Sequence, residues 1–174
     1  RRQRQMCIRD SFGTYALNSF SLYGSYDRKL NQATDIIFSA REDFFRSDAG
    51  DYNEFLPQVQ AITKFDDHNS VYASIGKSFR MPTFRNLYYG SNMIEPNPDL
   101  KPEQGWNYEI GYKYDEDGRR FNITAFRTDI KDQIISVWGS SKSKTLNASK
   151  YRNTGIELRY EQDVDCLLYT SDAA

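Results

Sequence analysis

Residues 106–125 read WNYEIGYKYDEDGRRFNITA, and this stretch alternates between two kinds of side chain. Aromatic or apolar residues occupy every second position from Trp106 to Tyr114, and polar residues or glycine lie between them. The same pattern resumes at Phe121. Because successive side chains of a β-strand point to opposite faces, the stretch predicts two strands, each with one apolar and one polar face. The DEDG sequence between them is a strong signal for a tight hairpin turn.

The same period of two recurs along most of the chain. The stretches 71–79 and 155–161 show it clearly, and a run beginning at Arg119 is expected to extend to Trp138. Three earlier stretches show it less regularly, and Pro57 fits a strand only near its start or at a bulge. The sequence therefore predicts about seven strands, at 14–26, 33–44, 53–65, 71–79, 105–114, 119–138 and 155–161.

The predicted connections alternate in length. Short polar turns are expected at 27–32, 66–69 and 115–118, and longer links at about 45–52, 80–104 and 139–146. The link 80–104 holds four of the five prolines. This alternation is typical of an up-and-down transmembrane barrel, which has tight periplasmic turns and long external loops. It predicts that strand 71–79 runs outward and that strand 105–114 runs back.

Composition by itself leaves two classes of protein open. The mean hydropathy is −0.77, and no apolar run approaches the roughly 20 residues of a membrane-spanning helix. However, a transmembrane barrel strand is apolar on one side only, so its mean hydropathy is also low. A soluble sandwich shows the same alternation. The 13 Tyr, 11 Phe and 2 Trp favour a membrane interface, where an apolar ring meets a wet rim.

The two ends of the chain, RRQRQMCIRD (1–10) and CLLYTSDAA (166–174), indicate a non-native origin. With suitable codons, both peptides can be encoded by one DNA segment, GTCTCTTATACACATCTGACGCTGCC, read in opposite orientations. This segment resembles the transposase adapter of sequencing libraries. We expect 1–10 and 166–174 to be adapter-derived tails around a receptor fragment at 11–165. Because Cys7 and Cys166 both lie in these tails, no disulfide or cysteine–metal site is expected.

Without the tails the charge balance is mildly acidic. Lys+Arg falls from 23 to 19 and Asp+Glu from 24 to 22, so the formal net charge moves from −1 to −3. There is no basic excess that would indicate a nucleic-acid partner.

Two stretches, YASIGKSFRMPTFRNLYY (72–89) and NPDLKPEQGWNYEIGYKY (97–114), resemble the signature of TonB-dependent receptors. In that family a strand ending in FRxPT leads through an LY segment and an NPxLKPE loop into an aromatic-rich strand. The resemblance continues in FNITAFRTDIKDQI (121–134) and KYRNTGIELRYE (150–161). It covers roughly residues 70–162.

The resemblance implies an all-β fold, an antiparallel up-and-down meander that forms part of a transmembrane barrel of about 22 strands with a plugged lumen. Such a receptor lies in the bacterial outer membrane and imports a scarce nutrient such as a ferric siderophore, haem or cobalamin. Its implied partners are outer-membrane lipid, a plug domain, the remaining barrel strands and the TonB complex. Neither the plug nor a TonB-binding box is expected within this chain.

Two alternatives stay open at this point. One is a passive porin-like channel or a surface adhesin, which is also a barrel. A plug and a TonB-binding box in the intact gene would distinguish the receptor from it. The other is a soluble carbohydrate-binding or hydrolytic β-domain, which would need a paired-carboxylate or metal constellation that the sequence does not offer.

The loop 80–104 is the leading candidate for ligand contact because it is long and predicted to be external. Cationic and aromatic groups together suit an anionic metal chelate. The candidate ligand-binding residues are Arg80, Arg85, Tyr88, Tyr89, Asn92 and Met93. Alternatively, Arg80 and Arg85 pair with carboxylates of the lumen or plug, and Pro82, Phe84 and Leu87 pack the loop onto the wall.

A structural role is expected for the second half of this loop. Prolines fix φ, and an Asn-Pro pair initiates turns, so the motif is predicted to brace the base of the loop. The residues of this motif are Asn97, Pro98, Leu100, Lys101, Pro102 and Glu103.

No catalytic, metal or cofactor site is predicted. The IGKS sequence at 75–78 ends like a phosphate-binding loop, but Val71 occupies the place of the required earlier glycine. The single histidine, His68, lies in a predicted turn without a serine or cysteine partner for nucleophilic catalysis. The sequence therefore predicts a transport receptor and not an enzyme.

The adapter origin of the tails is directly testable. Resequencing the source DNA from a library prepared without transposase adapters should replace the codons of residues 1–10 and 166–174 by those of a continuous receptor gene. If the same codons persisted within a longer reading frame, the adapter origin would be wrong.

Overall fold

The computed structural model describes residues 2–10, 13–47 and 50–163, with side chains described from residue 17 onward. Within these ranges the chain forms one sheet, one short helix and one long loop. The elements in chain order are β1 (Arg2–Asp10), β2 (Gly13–Lys29), β3 (Thr34–Ser47), β4 (Gly50–Lys64), β5 (Asn69–Arg80), α1 (Phe84–Tyr88), β6 (Ile94–Glu95), β7 (Glu103–Glu116), β8 (Arg119–Trp138) and β9 (Ser143–Gln162).

The sheet is an antiparallel meander. Its strand order is β1-β2-β3-β4-β5-β7-β8-β9-β6, so each long strand lies beside its neighbour in sequence. The two-residue β6 is the exception, because it belongs to the loop between β5 and β7 and pairs in parallel with the start of β9. The predicted fold class is confirmed, and so are the seven strands, which are β2 to β5 and β7 to β9.

Tight turns join the strands at the end of the sheet that we call the turn end. Glu116 pairs with Arg119, and the two residues between them, Asp117 and Gly118, have φ values of 47° and 74°. Two consecutive positive φ values define a type I′ turn, which matches the right-handed twist of the strands. Asp66 forms a side-chain-capped turn at 65–68, where its Oδ1 accepts hydrogen bonds from the backbone N–H groups of His68 and Asn69.

Two of the predicted long links are wrong. β3 and β4 stay paired as far as Ser47 and Gly50, so the link expected at 45–52 shrinks to 48–49. β8 and β9 stay paired as far as Trp138 and Ser143, which leaves only 139–142 of the link expected at 139–146. Phe44 and Phe45 are adjacent aromatic residues, and 140–144 contains only serine and lysine, so the alternation that marks a strand disappears near these tips although the backbone pairing continues. The long link at 80–104 is confirmed and defines the opposite end of the sheet, the loop end.

An adapter-derived tail is expected to add little to the sheet, and for the first ten residues this expectation is wrong. Arg2–Asp10 forms β1 and pairs with β2 over its whole length, from Arg2 opposite Ser21 to Asp10 opposite Gly13. The edge of a sheet offers unpaired N–H and C=O groups to any extended segment, whatever its side chains. Pairing therefore leaves the proposed adapter origin untested. Residues 166–174 lie outside the described part of the chain.

The two predicted faces of the sheet are confirmed by the strand register. Tyr112 lies opposite Ile123, which lies opposite Leu158, and all three belong to the apolar set. One step along, Lys113, Asn122 and Arg159 form an equivalent row of polar residues. We call these surfaces the apolar face and the polar face. A shift of one residue in any strand would exchange them.

The apolar face is not covered by a second layer. Ile110, Ile156 and Leu158 are 56%, 70% and 69% exposed. Among the described side chains, the buried apolar residues are Leu56, Leu100 and Ile134, and all three lie toward the loop end. A water-soluble sandwich would bury this face against another sheet. An apolar surface of this extent marks a contact with another apolar phase.

The apolar band has the height expected of a barrel in a membrane. On β7, Trp106 and Tyr114 lie at its two margins, eight residues apart, or about 27 Å along the strand. A strand tilt of about 40° reduces this to roughly 20 Å, close to the band of about 25 Å between aromatic girdles in transmembrane barrels. Among the residues that the structure describes, no helix has the length and apolar character needed to cross a membrane.

The strands are longer than a membrane crossing needs. β8 and β9 have 20 residues each, whereas a tilted crossing takes about 9 to 11. Because the connections at the turn end are short, the surplus extends beyond the membrane at the loop end.

β4 and β5 separate toward the loop end. Their pairing stops at Gln58 and Gly76, next to Pro57, which has no N–H to donate. Beyond this point, toward the loop end, side chains on the polar face of the β3–β4 tip contact β5 side chains that belong to its apolar face. The Phe79 ring lies 5.5 Å from the Phe45 ring, and Lys77 forms an ion pair with the buried Glu54.

The open edges of the sheet generate a prediction for residues 11–165 expressed alone. Unpaired backbone groups at the edges favour intermolecular pairing, and in a bilayer each of them would cost several kcal/mol. We expect the isolated segment to aggregate in water, as measured by size-exclusion chromatography with light scattering. A soluble monomer with cooperative unfolding would contradict the barrel assignment.

Candidate functional site

The base of the loop at 81–102 is held by a charged side-chain pair. Arg80, the last residue of β5, donates hydrogen bonds from Nε and Nη2 to the Glu103 carboxylate, at 2.9 and 2.6 Å. Glu103 begins β7 and its side chain is 11% exposed. The Glu103 carboxylate also accepts a hydrogen bond from the backbone N–H of Ile134 on β8. One carboxylate therefore ties together both ends of the loop and the neighbouring strand.

The first part of the loop forms the short helix α1. Pro82 lies just ahead of it, and the hydroxyl of Thr83 caps its start by accepting a hydrogen bond from Asn86 N–H at 3.3 Å. The guanidinium of Arg85 lies over the Tyr89 ring, 5.5 Å from its centroid. The rings of Phe84 and Tyr88, one turn apart, stack at 6.4 Å. The helix thus gathers one cation and three aromatic rings in five to six residues.

The middle of the loop turns sharply and joins β9. Ser91 and Ile94 exchange two backbone hydrogen bonds, which places Asn92 and Met93 at the tip of a turn. Both tip residues are exposed, Met93 by 63%. Ile94 and Glu95 then form β6 beside Ser143 and Lys144, where the Glu95 carboxylate lies 2.6 Å from Lys144 Nζ.

Two asparagines fasten the returning part of the loop to β9. Asn97 donates from its Nδ2 to the carbonyl of Thr145 at 2.8 Å. Asn147 accepts a hydrogen bond from Lys101 N–H at 2.9 Å and donates to the Lys101 carbonyl at 2.9 Å. The same Asn147 amide also donates to the carbonyl of Asp132 at 2.7 Å. A single side chain therefore joins the loop to two strands.

These fastenings differ in strength. Losing a partner of the buried Glu103 leaves a buried polar group unsatisfied, which costs about 1–3 kcal/mol. Each Asn147 hydrogen bond contributes about 1 kcal/mol. The Glu95–Lys144 pair is exposed and contributes least. Its hydrogen bond to Lys144 lowers the pKa of Glu95, so this contribution is present at neutral pH and is lost as pH falls through the lowered pKa.

The structure divides the predicted ligand-binding residues into three groups. Arg80 lies at the loop base and is bound to Glu103. Arg85, Tyr88 and Tyr89 lie together on and just after α1. The remaining two, Asn92 and Met93, lie at the tip of the turn at 91–94.

The residues of the predicted bracing motif lie along the loop's return to β7. Leu100 is 8% exposed, so it is one of the few buried apolar side chains. Asn97 Oδ1 accepts a hydrogen bond from Asp99 N–H at 3.2 Å, across Pro98. Lys101 contacts Asn147 through its backbone. Pro102 then leads into Glu103, where β7 begins.

Asn147, Thr145 and Lys144 were not singled out by the sequence. Asn147 lies 46 residues after Lys101, and no local pattern indicates that they meet. The sequence around 139–146 lacks the alternation of a strand, so it predicts a free link there and gives no sign that these residues contact the loop.

The single histidine has a local role at the turn end. The Asp115 carbonyl accepts a hydrogen bond from the His68 ring at 3.1 Å, and this raises the pKa of His68, assisted by the nearby Glu116 carboxylate. In the ranges that the structure describes, no three His, Cys, Asp or Glu side chains lie close enough to hold a metal ion.

Comparisons with known proteins agree with this architecture. The model of the family described as "TonB dependent receptor-like, beta-barrel" matches residues 3–173. A probable TonB-dependent siderophore receptor, PirA of Acinetobacter baumannii, is 24% identical over 173 residues, covering 85% of this chain and 22% of its own length. The vitamin B12 transporter BtuB of Vibrio vulnificus is 30% identical over 102 residues, covering 56% of this chain and 16% of its own.

Solved structures show the same fold. The siderophore receptor PirA from Acinetobacter baumannii superposes with a TM-score of 0.71 at 19% identity, covering 89% of this chain and 27% of that one. The haemophore receptor HasR of Serratia marcescens, in complex with its haemophore and haem, superposes with a TM-score of 0.74 at 17% identity, covering 88% of this chain and 33% of that one. The matches thus span between about a sixth and a third of the length of these relatives.

The family match covers nearly the whole chain, and the exposed apolar face is the surface that such a barrel presents to lipid. These findings decide against the soluble β-domain. The chain belongs to the TonB-dependent receptor family and forms part of its β-barrel in the bacterial outer membrane.

Proposed function

We propose that this chain forms a section of the wall and one external ligand-contacting loop of a receptor that imports a scarce nutrient. The observation that supports this most is the loop at 81–102, which is anchored at its base and along β9 while α1 and the turn at 91–94 present cationic, aromatic and amide groups. The nutrient would be a ferric siderophore, haem or cobalamin. The receptor would act in transport and not as an enzyme, with energy from the TonB complex.

The proposed recognition chemistry rests on α1. The Arg85 guanidinium lies over the Tyr89 ring, 5.5 Å from its centroid, and the residue is exposed, so its N–H donors are accessible to a ligand. A guanidinium edge binds carboxylate or catecholate oxygens by charge-assisted hydrogen bonds, and neighbouring rings pack on planar ligand groups. Arg80 differs, because its Nε and Nη2 donors are hydrogen-bonded to Glu103. In this proposal Arg85 contacts the ligand and Arg80 positions the loop.

Reversing the charge of Arg85 tests ligand contact. In the full-length receptor, Arg85→Glu should weaken binding of an anionic ferric chelate about tenfold, because it replaces a charge-assisted contact by repulsion. Binding is measured by fluorescence titration with a ferric catecholate, a ferric hydroxamate, haemin and cyanocobalamin.

A matched control is Arg46→Glu, at the exposed β3–β4 tip, where Arg46 pairs loosely with Asp51 at 3.7 Å. This variant should leave binding unchanged. If the two variants lost ligand affinity equally, or if Arg85→Glu bound all four ligands like the wild type, Arg85 would not be a ligand contact.

Removing the carboxylate at the loop base tests positioning. Glu103→Ala leaves Arg80 and the Ile134 N–H without their acceptor, at a cost of about 1–3 kcal/mol, so the loop should open roughly tenfold more often. Trypsin cleavage after Arg85 should accelerate accordingly, while the barrel keeps its heat-modifiable mobility in electrophoresis. Glu157→Ala, on the polar face of β9, is the control. An unchanged cleavage rate in Glu103→Ala would show that Glu103 does not anchor the loop.

A further inference from the structure

The β3–β4 tip, residues 43–54, overlaps the upper part of β5. Backbone pairing between β4 and β5 ends at Gln58 and Gly76, whereas β5 stays paired with β7 to its end. Above this point Lys77 of β5 belongs to the apolar face by its register with β7. Its ion-pair partner Glu54 belongs to the polar face of β4. The polar side of the tip therefore lies against the outer side of β5, and the wall is two layers thick here.

The burial of side chains follows this overlap. Asp43, Glu54 and Leu56 all belong to the polar face, and they are only 4%, 5% and 7% exposed. The intervening Asn53 and Phe55 belong to the other face and are exposed. A single layer of sheet leaves both of its faces open, as the apolar face of β7 to β9 shows. The cover over the three buried residues therefore comes from the upper parts of β5 and β7.

The Glu54 carboxylate is the polar centre of the overlap. It forms an ion pair with Lys77 Nζ, and it accepts hydrogen bonds from the Tyr52 hydroxyl and from Gln104 Nε2, the latter at 3.1 Å. Lys77 lies on β5 and Gln104 on β7, and these two strands carry the loop at 81–102. One carboxylate of the tip therefore contacts both strands at the base of the loop.

A second buried carboxylate makes the overlap depend on Lys77. Asp43 lies directly opposite Glu54 across the β3–β4 pair, and Arg41 Nη2 lies 3.0 Å from its Oδ2. Among the described residues, Asp43 Oδ1 is buried without a hydrogen-bond partner. Like charges directly opposite each other destabilise a sheet, and a buried charge that loses its partner is strongly destabilising. Without Lys77 the overlap is therefore unfavourable, and the tip would separate from β5.

Aromatic contacts complete the overlap without strand pairing. The centroid of the Phe79 ring lies 5.5 Å from that of Phe45 and 6.2 Å from that of Tyr52. In the described part of the chain, β4 and β5 share no backbone pairing on the loop side of Gln58. Separation of the tip from β5 would break side-chain contacts and leave every strand pairing of the sheet in place. Such a segment opens locally, without unfolding of the barrel.

We propose that Glu54 and Lys77 form a latch that holds the loop at 81–102 in position from the β3–β4 side. Glu103 fastens the base of the same loop to β8 on the opposite side, so the loop is held between two hairpins. When the latch opens, the tip separates from β5 and the base of the loop gains freedom to move. Glu54 is thus a positioning residue and not a ligand contact. The latch goes beyond the proposed function, because it holds the loop whichever nutrient the receptor imports.

The latch is tested with a reporter thiol in the overlap. In the full-length receptor, with cysteines elsewhere replaced by serine, Leu56→Cys places a buried thiol there, and its rate of maleimide labelling reports how often the tip separates. Lys77→Met should raise this rate roughly hundredfold, because Glu54 and Asp43 stay buried without the cation. Trypsin cleavage after Arg85 should accelerate in the same variant, because the base of the loop loses one of its two fastenings.

Three further variants are compared in the same background. Lys77→Gln, a more conservative loss of the cation, should raise both rates in the same direction. Glu54→Gln/Lys77→Gln removes both charges of the latch and should return both rates to within about threefold of the wild type. Lys64→Met changes an exposed lysine near the turn end and should leave both rates unchanged. Heat-modifiable mobility in electrophoresis verifies that each variant keeps its barrel.

Faster labelling and faster cleavage in the single Lys77 variants, with both rates restored in the double variant, support the latch. An unchanged labelling rate in both single variants would show that the pair does not hold the tip. Faster labelling with unchanged cleavage after Arg85 would show that the tip does not position the loop. A double variant as fast as Lys77→Gln alone would assign the effect to lost packing instead of the charged pair. Each of these three results would overturn the proposal.

Discussion

The structure depends on one constraint: backbone N–H and C=O groups that enter a bilayer must be paired with another strand. β2 to β5 and β7 to β9 satisfy it by antiparallel pairing in sequence order. In such a barrel, successive side chains of each strand alternate between an apolar side that faces lipid and a polar side that faces the lumen. This pairing also removes the need for a buried core, and few apolar side chains are buried in the described part of the chain. The exposed Ile156 and Leu158 would destabilise a soluble protein, and they suit the outer side of a barrel wall in the outer membrane.

Beyond the membrane the constraint relaxes, and the irregular features of the chain lie there. Pro57 lies where β4 leaves β5. The loop at 81–102 is held by side chains such as Glu103 and Asn147, which supply the pairing that strands supply elsewhere. The external end thus consists of a rigid sheet and a loop that is fastened to it at a few points. In many proteins, ligand-binding residues lie on loops that a rigid scaffold positions in this way.

The features predicted correctly from the sequence are those that depend on the alternation of side chains and on local turn residues. The bounds of β8, the face occupied by Tyr112 and the turn at Asp117 and Gly118 all follow from local patterns in the sequence. The pairing of 45–47 with 50–52 could not be read, because Phe44 and Phe45 place an aromatic ring on each face and Phe45 packs on Phe79, which is distant in sequence. The Asn147–Lys101 contact joins residues far apart in sequence. Site residues were the hardest to predict. Arg80 and Arg85 are equivalent cations in the sequence, and only the structure distinguishes them, because Arg80 forms an ion pair with Glu103.

The most direct measurement of the central claim is a cysteine scan of residues 106–113 in the full-length receptor, reconstituted in bilayers. Between Cys7 and Cys166 this chain has no cysteine of its own, so once cysteines elsewhere in the receptor are replaced by serine, each introduced thiol reports one position. Fluorophores at 106, 108, 110 and 112 should be quenched by brominated lipid, and those at 107, 109 and 113 by aqueous iodide. Gly111 is left unchanged, because a Cβ at this position would collide with the Tyr72 ring. Quenching without a period of two, or with the two sets exchanged, would contradict a barrel wall whose Trp106 and Ile110 face lipid.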